Sequence, residues 1–418
     1  MAQDPLHVLW VEPRFPGRLG AVADWLVRRR GYRCHFYCHS AAPRDRWPAS
    51  AGRGLDVVSF NVGGVAREPS VKWQQVVERG LCYSYGCWEV LEMKRPRPID
   101  LIVGRSDGLG STLFAPVHFP RLPVVNLFDY FHHAHRNDLA EEAGPEMPPH
   151  YFHWRRSANA VELLDLENGV VPWTPTRWQR DLFPVEYRDD FQVLHDGVDT
   201  RLFAPCERRK RVVAGRTIPE GTRVVSFAAR SLDRLRGFDR FLTLANALLR
   251  ERSDVICLVL GDPIVAHNVD VSFYQRDYKA HLLAENPPPD PERLWFLGPA
   301  TRAVVAQVFA ASDLHVYPSR PYPFARSALE ALASGCVVLA SDDEPAREFI
   351  TPGSNGLLAR ADDPDDWLDQ ARKALDDLDG HRTLGEKAVE VVREHYAQDV
   401  TLPRLATLFD RLVEQGGG

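Results

Sequence analysis

A chain of 418 residues exceeds what one ordinary hydrophobic core supports, so length alone predicts two domains of roughly 200 residues each. Its 44% hydrophobic and 26% charged content is that of a folded enzyme, not of a disordered or fibrous chain. A formal net charge of −6 leaves no basic excess to neutralise phosphates along a strand, which excludes nucleic acid as the main partner.

The opening residues, MAQDPLHVLW, place Asp4 ahead of the apolar run without a cationic leader. No stretch approaches eighteen uninterrupted apolar residues. Neither a signal peptide nor a membrane span is expected, and the protein is expected in the cytoplasm, with peripheral membrane contact left open. His7 to Val11 reads as a strand, followed by the glycine-bearing turn Glu12 to Gly20 and a helical pattern through Val22, Trp25 and Leu26, the opening of a Rossmann-like unit. The glycines lack dinucleotide spacing, so no nicotinamide or flavin cofactor is expected. Cys34, His35, Cys38 and His39 raise a zinc question, but no second pair stands at ribbon or finger spacing, and the segment reads as a strand with buried thiols. Seven scattered cysteines do not form a disulfide framework.

Strands are predicted at Arg33–Cys38, Leu55–Phe60, Ile99–Val103 and Pro123–Tyr130, with a helix over Ser70–Met93. Two loops that directly follow strands are rich in chemistry: Gly104 to Thr112, containing Arg105, Ser106 and Asp107, and Asp129 to Arg136, containing His132, His133 and His135. The histidines lack a completing carboxylate or cysteine and read as a polar loop, on the acceptor side of a site, with no metal expected. Asn137 to Tyr151 reads as a long surface loop or lid. The interdomain crossing is placed after Phe203, giving domains at 1–204 and 205–395, with a C-terminal helix at 396–418 returning to the first.

The second half repeats the alternation: strand Val224–Ala229, helix Phe238–Arg250, strand Val255–Leu260, helix Val271–Ala284, strand Leu294–Leu297, helix Arg302–Ala310 and strand Leu314–Tyr317. Tyr317 to Ser341 then reads as Pro-rich loop, short amphipathic helix, glycine stop at Gly335 and buried strand. Helices follow at Pro364–Leu378 and His381–Tyr396. The expected fold class is α/β: two Rossmann-like domains whose parallel sheets face a central cleft. Arg230 and Arg236 on one loop aim two permanent charges at a phosphate pair, and the helix start after Phe324 adds backbone N–H groups and a dipole. An ordinary structural reading pairs these arginines with Asp233 and Asp239, and Arg326 with Glu330 as an i,i+4 surface pair.

HDGVD at 195–199, Arg230, Arg236-Gly237, Gly261-Asp262, Phe296-Leu-Gly298 and Tyr322-Pro-Phe324 through Glu330, in this order, resemble the retaining glycosyltransferases of family 4, which have the GT-B fold. FPGRLG at 15–20, DLIVGRSDGLGSTLF at 100–114 and TPTRWQRDLFP at 174–184 resemble a bacterial branch of that family. The resemblance implies transfer of a hexosyl group from a nucleoside-diphosphate sugar to a hydroxyl acceptor in polysaccharide, glycoconjugate or natural-product synthesis. Neither a metal nor a resident cofactor is implied.

It implies that Arg230 and Arg236 hold the diphosphate and Glu330 the ribose, while backbone near Leu297 and Gly298 receives the base and Gly261 also belongs to the donor site. The donor sugar falls to Tyr322, Pro323, Phe324, Ala325 and Arg326, and the loop at Gly17 and Gly20 faces the diphosphate from the other domain. Asp129, with His132 and His133, takes the catalytic region; Arg105, Ser106, Asp107 and His135 take the acceptor side. The sequence departs from the family where Tyr322 replaces the first glutamate of the two-glutamate motif, and where Arg105 and Ser111 replace the branch's usual His and Glu. Two other readings stand beside this one: a catalytically impaired glycan- or nucleotide-binding protein of the same fold, which would explain these departures, or a nucleotide-sugar epimerase of related architecture.

Overall fold

The computed structural model describes residues 5–44, 47–62, 72–96, 98–106, 112–133, 149–206, 212–264 and 278–416. The chain divides into two compact units, Met1–Asp196 with Thr401–Gly418, and Gly197–Val400.

The first unit is built on a seven-stranded sheet in the spatial order Leu55–Ser59, Arg33–Cys38, His7–Val11, Leu101–Arg105, Val124–Leu127, Val171–Thr174, Gln192–Val193. All its pairings are parallel. Strands covered on both faces are apolar throughout, which is why HVLWV and LIVGR read as runs and not as alternations. The helix Gln398–Gly416 packs back here, its Leu402, Leu405 and Phe409 sharing a core with Val8, Trp10 and Trp173. Cys34 and Cys38 are buried in their strand, and burial pushes their thiols up to about 12 and about 11.

The second unit carries a six-stranded parallel sheet in the order Leu294–Gly298, Val255–Asp262, Arg223–Ser231, Leu314–Tyr317, Val337–Ser341, Leu357–Ala359. Alternate residues serve opposite cores: Val224, Ile256, Leu258 and Leu260 on one face, Val225, Phe227, Val255, Cys257 and Val259 on the other. Helix Phe238–Glu251 covers the latter face with Phe238, Phe241, Leu242, Ala245, Leu248 and Leu249, the spacing of an apolar helical stripe. The strand Leu357–Ala359 is too short to announce itself in sequence. The last helices run Leu378–Val391 and Gln398–Gly416, with a wide turn between them at Val392–Tyr396 in place of one helix over His381–Tyr396. The start of the expected helix Val271–Ala284 lies outside the described residues, which resume with helix Tyr278–Glu285.

In each sheet the chain reverses direction beside its first strand, between His7–Val11 and Leu101–Arg105 in one unit and between Arg223–Ser231 and Leu314–Tyr317 in the other. Such a switch point opens a crevice at the carboxyl ends of the strands, and the chemically rich residues of both units gather there.

Candidate functional site

In the second unit, Arg230 is exposed at the carboxyl end of the strand Arg223–Ser231. Arg236 follows on the loop, half-buried, reaching across the switch point with Nη1 3.4 Å from the Tyr317 hydroxyl and 3.4 Å from the Pro323 carbonyl. Its guanidinium carbon lies 4.9 Å from the centre of the Tyr322 ring, a cation–π contact. The two carboxylates near this loop accept other donors as well. Asp239 receives Nη1 and Nη2 of Arg320 at 3.1 and 2.9 Å, while Asp233 accepts the Arg236 backbone N–H at 3.0 Å and the Ser231 hydroxyl at 2.5 Å. Among the described residues no carboxylate pairs with the Arg236 side chain.

Gly237 opens the helix Phe238–Glu251 at φ 74°, and a Cβ there would stand 1.9 Å from the Pro318 carbonyl oxygen. Only glycine fits, and the tight approach keeps the arginine loop against the strand end. Across the switch point, helix Arg326–Ala333 starts at Ala325 without a side-chain cap; the Ala325 N–H donates to the Tyr317 hydroxyl at 2.9 Å. Phe324 is buried against Tyr317 and Phe349, ring centres 4.9 and 4.7 Å away, which fixes where the helix begins. Glu330, 4% exposed, lies one turn in and pairs through Oε1 with Nη2 of Arg302 at 2.9 Å, so it is a buried carboxylate and not a surface one. Gly261, Leu297 and Gly298 end the neighbouring strands on the same edge. Of the aspartates at 342–343 and 362–366, Asp342 pairs with Arg347 and Asp362 with Arg240, Asp343 and Asp363 cap helices, and Asp366 accepts the Arg360 N–H.

In the first unit, four strand ends converge on an ion-pair network. Arg18 clamps Asp196 with Nε and Nη2 at 2.9 and 2.7 Å and donates Nη1 to Asp129. Arg105 donates Nη2 to Asp129 at 2.7 Å and Nη1 to Glu12 at 3.3 Å. Gln179 donates to the Asp129 carbonyl at 2.7 Å. Burial lowers the Arg18 pKa, but Asp129 and Asp196 beside it raise it well above the ordinary value. Burial likewise pushes the Asp129 carboxyl up, and the Arg18 and Arg105 guanidiniums override it and hold Asp129 below the usual carboxylate range. Asp129 is therefore an ionised acceptor at neutral pH.

The histidines are tied to the scaffold. Arg155 donates to His132 Nδ1 at 2.6 Å, and since arginine cannot accept, the neutral ring carries its proton on Nε2. Burial first, and Arg155 second, hold the His132 pKa well below 6.5. His133 donates Nε2 to the Leu182 carbonyl at 2.7 Å. Ser106 is fully buried and donates to Asp165 at 2.6 Å, facing inward. Gly17 and Gly20 shape the turn beneath Glu12, and Asp107 and His135, with most of the 137–151 loop, lie outside the described residues. Glu12, Arg18, Asp196, Tyr317 and Arg302 were not singled out by sequence, although FPGRLG and HDGVD contain two of them. Among the described residues no three His, Cys, Asp or Glu side chains converge as metal ligands, and no helix is long and apolar enough to cross a membrane.

The profile of the glycosyl transferase family 4 group matches residues 30–203, and that of glycosyl transferases group 1 matches residues 209–391. The D-inositol 3-phosphate glycosyltransferase of Nocardia farcinica is 32% identical over 203 residues, 48% of this chain and 43% of that protein. The chain spans about half the length of the curated relatives it matches. Sucrose-phosphate synthase from Thermosynechococcus elongatus has the same fold, with a TM-score of 0.76 at 16% identity over 98% of this chain and 100% of that one. Anabaena HepE in complex with UDP and glucose gives 0.69 at 16% identity, covering 97% and 100%. With two matched profiles that between them run from residue 30 to residue 391, and a parallel α/β sheet in each unit, this chain belongs to the family 4 type of glycosyltransferases, proteins of the GT-B fold.

Proposed function

We propose that the protein is a retaining hexosyltransferase that moves a sugar from a nucleoside-diphosphate donor to a hydroxyl-bearing acceptor. The observation that carries this reading is the convergence at one switch point of Arg236, unpaired with any described carboxylate, the uncapped start of helix Arg326–Ala333, and the buried Glu330. Two arginines and a helix N-terminus suit a diphosphate, and they stabilise the charge that grows on it as the glycosidic bond breaks. Glu330, one helical turn away, suits two ribose hydroxyls, with Arg302 holding its carboxylate in place. Tyr322, standing where the family has a glutamate, covers Arg236 and leaves the donor-sugar contact to Pro323, Phe324, Ala325 and Arg326.

Asp129, ionised and oriented by two guanidiniums, serves the acceptor in the first unit. Retention needs no side-chain nucleophile, because the acceptor can approach the face the diphosphate leaves and pass its proton to a leaving-group oxygen. Metal-free chemistry is favoured because the guanidiniums can replace a divalent cation. Seven cysteines without a disulfide suit the cytoplasm.

The name shared by the curated relatives supplies one acceptor to try, inositol 3-phosphate. The test is a panel of UDP-, GDP-, TDP- and ADP-sugars with and without acceptors, following nucleotide release and the anomeric configuration of the product. Release with a product of retained configuration is expected. Conversion of the sugar without release would mean an epimerase, and binding without either would mean an impaired enzyme.

A further inference from the structure

The first unit's network speaks to which acceptors can be used, an inference that rests on reading that unit as the acceptor side. The helix Leu19–Arg30 begins at the carboxyl edge of the sheet, the ordinary seat for a phosphate. Here the seat is filled from within. Glu12 Oε1 accepts the Arg18 N–H at 3.1 Å, Oε2 accepts the Leu19 N–H at 3.0 Å, and the Gly20 N–H goes to the Pro16 carbonyl at 2.8 Å. Glu12 is 3% exposed, and the turn is shaped around it: Gly17 sits at φ 54°, and a Cβ there would stand 2.2 Å from Glu12 Oε2.

The guanidiniums that could chelate a phosphate are committed in the same way. Arg18 gives Nε and Nη2 to Asp196 and Nη1 to Asp129; Arg105 gives Nη2 to Asp129 and Nη1 to Glu12. Among the described residues, two guanidiniums thus meet three carboxylates, with His195 Nδ1 4.0 Å from Asp196. The network is also reachable, with Arg18, Arg105 and Asp129 side chains 22%, 25% and 17% exposed.

We propose that this face selects an uncharged, hydroxyl-rich acceptor and rejects its phosphomonoester, with Glu12 as the specificity-determining residue. A phosphate dianion would meet the Asp129 carboxylate with the buried Glu12 and Asp196 behind it, and each guanidinium would have to leave a carboxylate to receive it. A polyol brings O–H donors to the reachable Asp129 carboxylate and leaves the Glu12 contacts in place, so the preference comes as much from repulsion as from attraction.

The test uses the full chain with UDP, GDP, TDP and ADP in excess, which fills the arginines of the second unit. Affinities are measured for inositol against inositol 3-phosphate and for glucose against glucose 6-phosphate. The neutral member of each pair is expected to bind at least tenfold more tightly, and Glu12→Gln is expected to narrow the gap at least threefold. Should that variant fail to fold, the wild-type comparison decides alone. Equal or tighter binding of the phosphomonoesters overturns the inference, as does binding of neither member. The same neutral preference without any sugar transfer supports it while counting against the transferase reading.

Discussion

Glu330 is a carboxylate in an otherwise apolar helix, and its burial defines what it can do. An unpaired buried charge is costly, and Arg302, half-exposed and also lying over the Phe203 ring at 4.9 Å, is its ion-pair partner. If the carboxylate receives ribose hydroxyls, Glu330→Gln loses charge-assisted acceptance at nearly constant volume. The expected outcome is a donor KM raised about tenfold, as for loss of one charged hydrogen bond, with kcat much less affected and the fold intact. Steady-state kinetics checks this, and an unchanged donor KM would leave Glu330 a structural partner of Arg302 alone.

At the scale of elements, the arginine loop depends on a glycine that sequence presented only as a motif letter. Gly237→Ala places a methyl 1.9 Å from a backbone oxygen and forces a left-handed conformation on alanine. Destabilisation of a few kcal/mol is expected, together with weakened nucleotide binding as Arg236 shifts; denaturant unfolding measures the first.

A second element-scale prediction concerns the buried floor of the first unit's site. Asp165, fully buried, has its carboxyl pushed by burial from 3.8 up to about 7, against the Ser106 hydrogen bond. A carboxyl whose folded pKa is raised binds more protons folded than unfolded. Its contribution therefore falls as pH rises from about 4 to about 7, by roughly 4 kcal/mol in all. Asp165→Asn is expected to stabilise the protein at pH 8 and to change little at pH 4. His315 in the other unit has the opposite sign: burial lowers it from 6.5 to about 3, so stability is lost as pH falls below about 6.5. Thermal unfolding across pH, wild type against Asp165→Asn, checks the difference, and a gap that does not grow with pH would contradict it.

At the scale of the whole molecule, the strand-and-helix alternation was legible because parallel strands buried on both faces leave apolar runs, and Arg33–Cys38 and Leu314–Tyr317 have the expected bounds. Of the site, the local pieces were legible: Arg230, Arg236 and Glu330 announce themselves as charges beside strand ends or inside an apolar helix. The long-range pieces were not, since nothing in sequence reports that Arg18 reaches Asp196, or that Glu330 pairs with Arg302. Pairing across a sheet is fixed by strand order, which the sequence does not spell.

Protein-supplied cations lead to the expectation that turnover survives excess EDTA, measured with and without added magnesium or manganese; loss restored by either ion would favour a metal-bridged diphosphate. The central claim is that the second unit holds a nucleoside diphosphate through the arginine loop, and calorimetric titration tests it most directly. Wild type should bind at least one of UDP, GDP, TDP and ADP, and Arg236→Ala should weaken that binding by about a hundredfold, the loss of charge-assisted contacts to an anion. Arg372→Ala, which removes exposed pairs with Glu251 and Asp369, should bind as wild type does. Identical affinities for wild type and Arg236→Ala, or no binding of any of the four, would contradict the account.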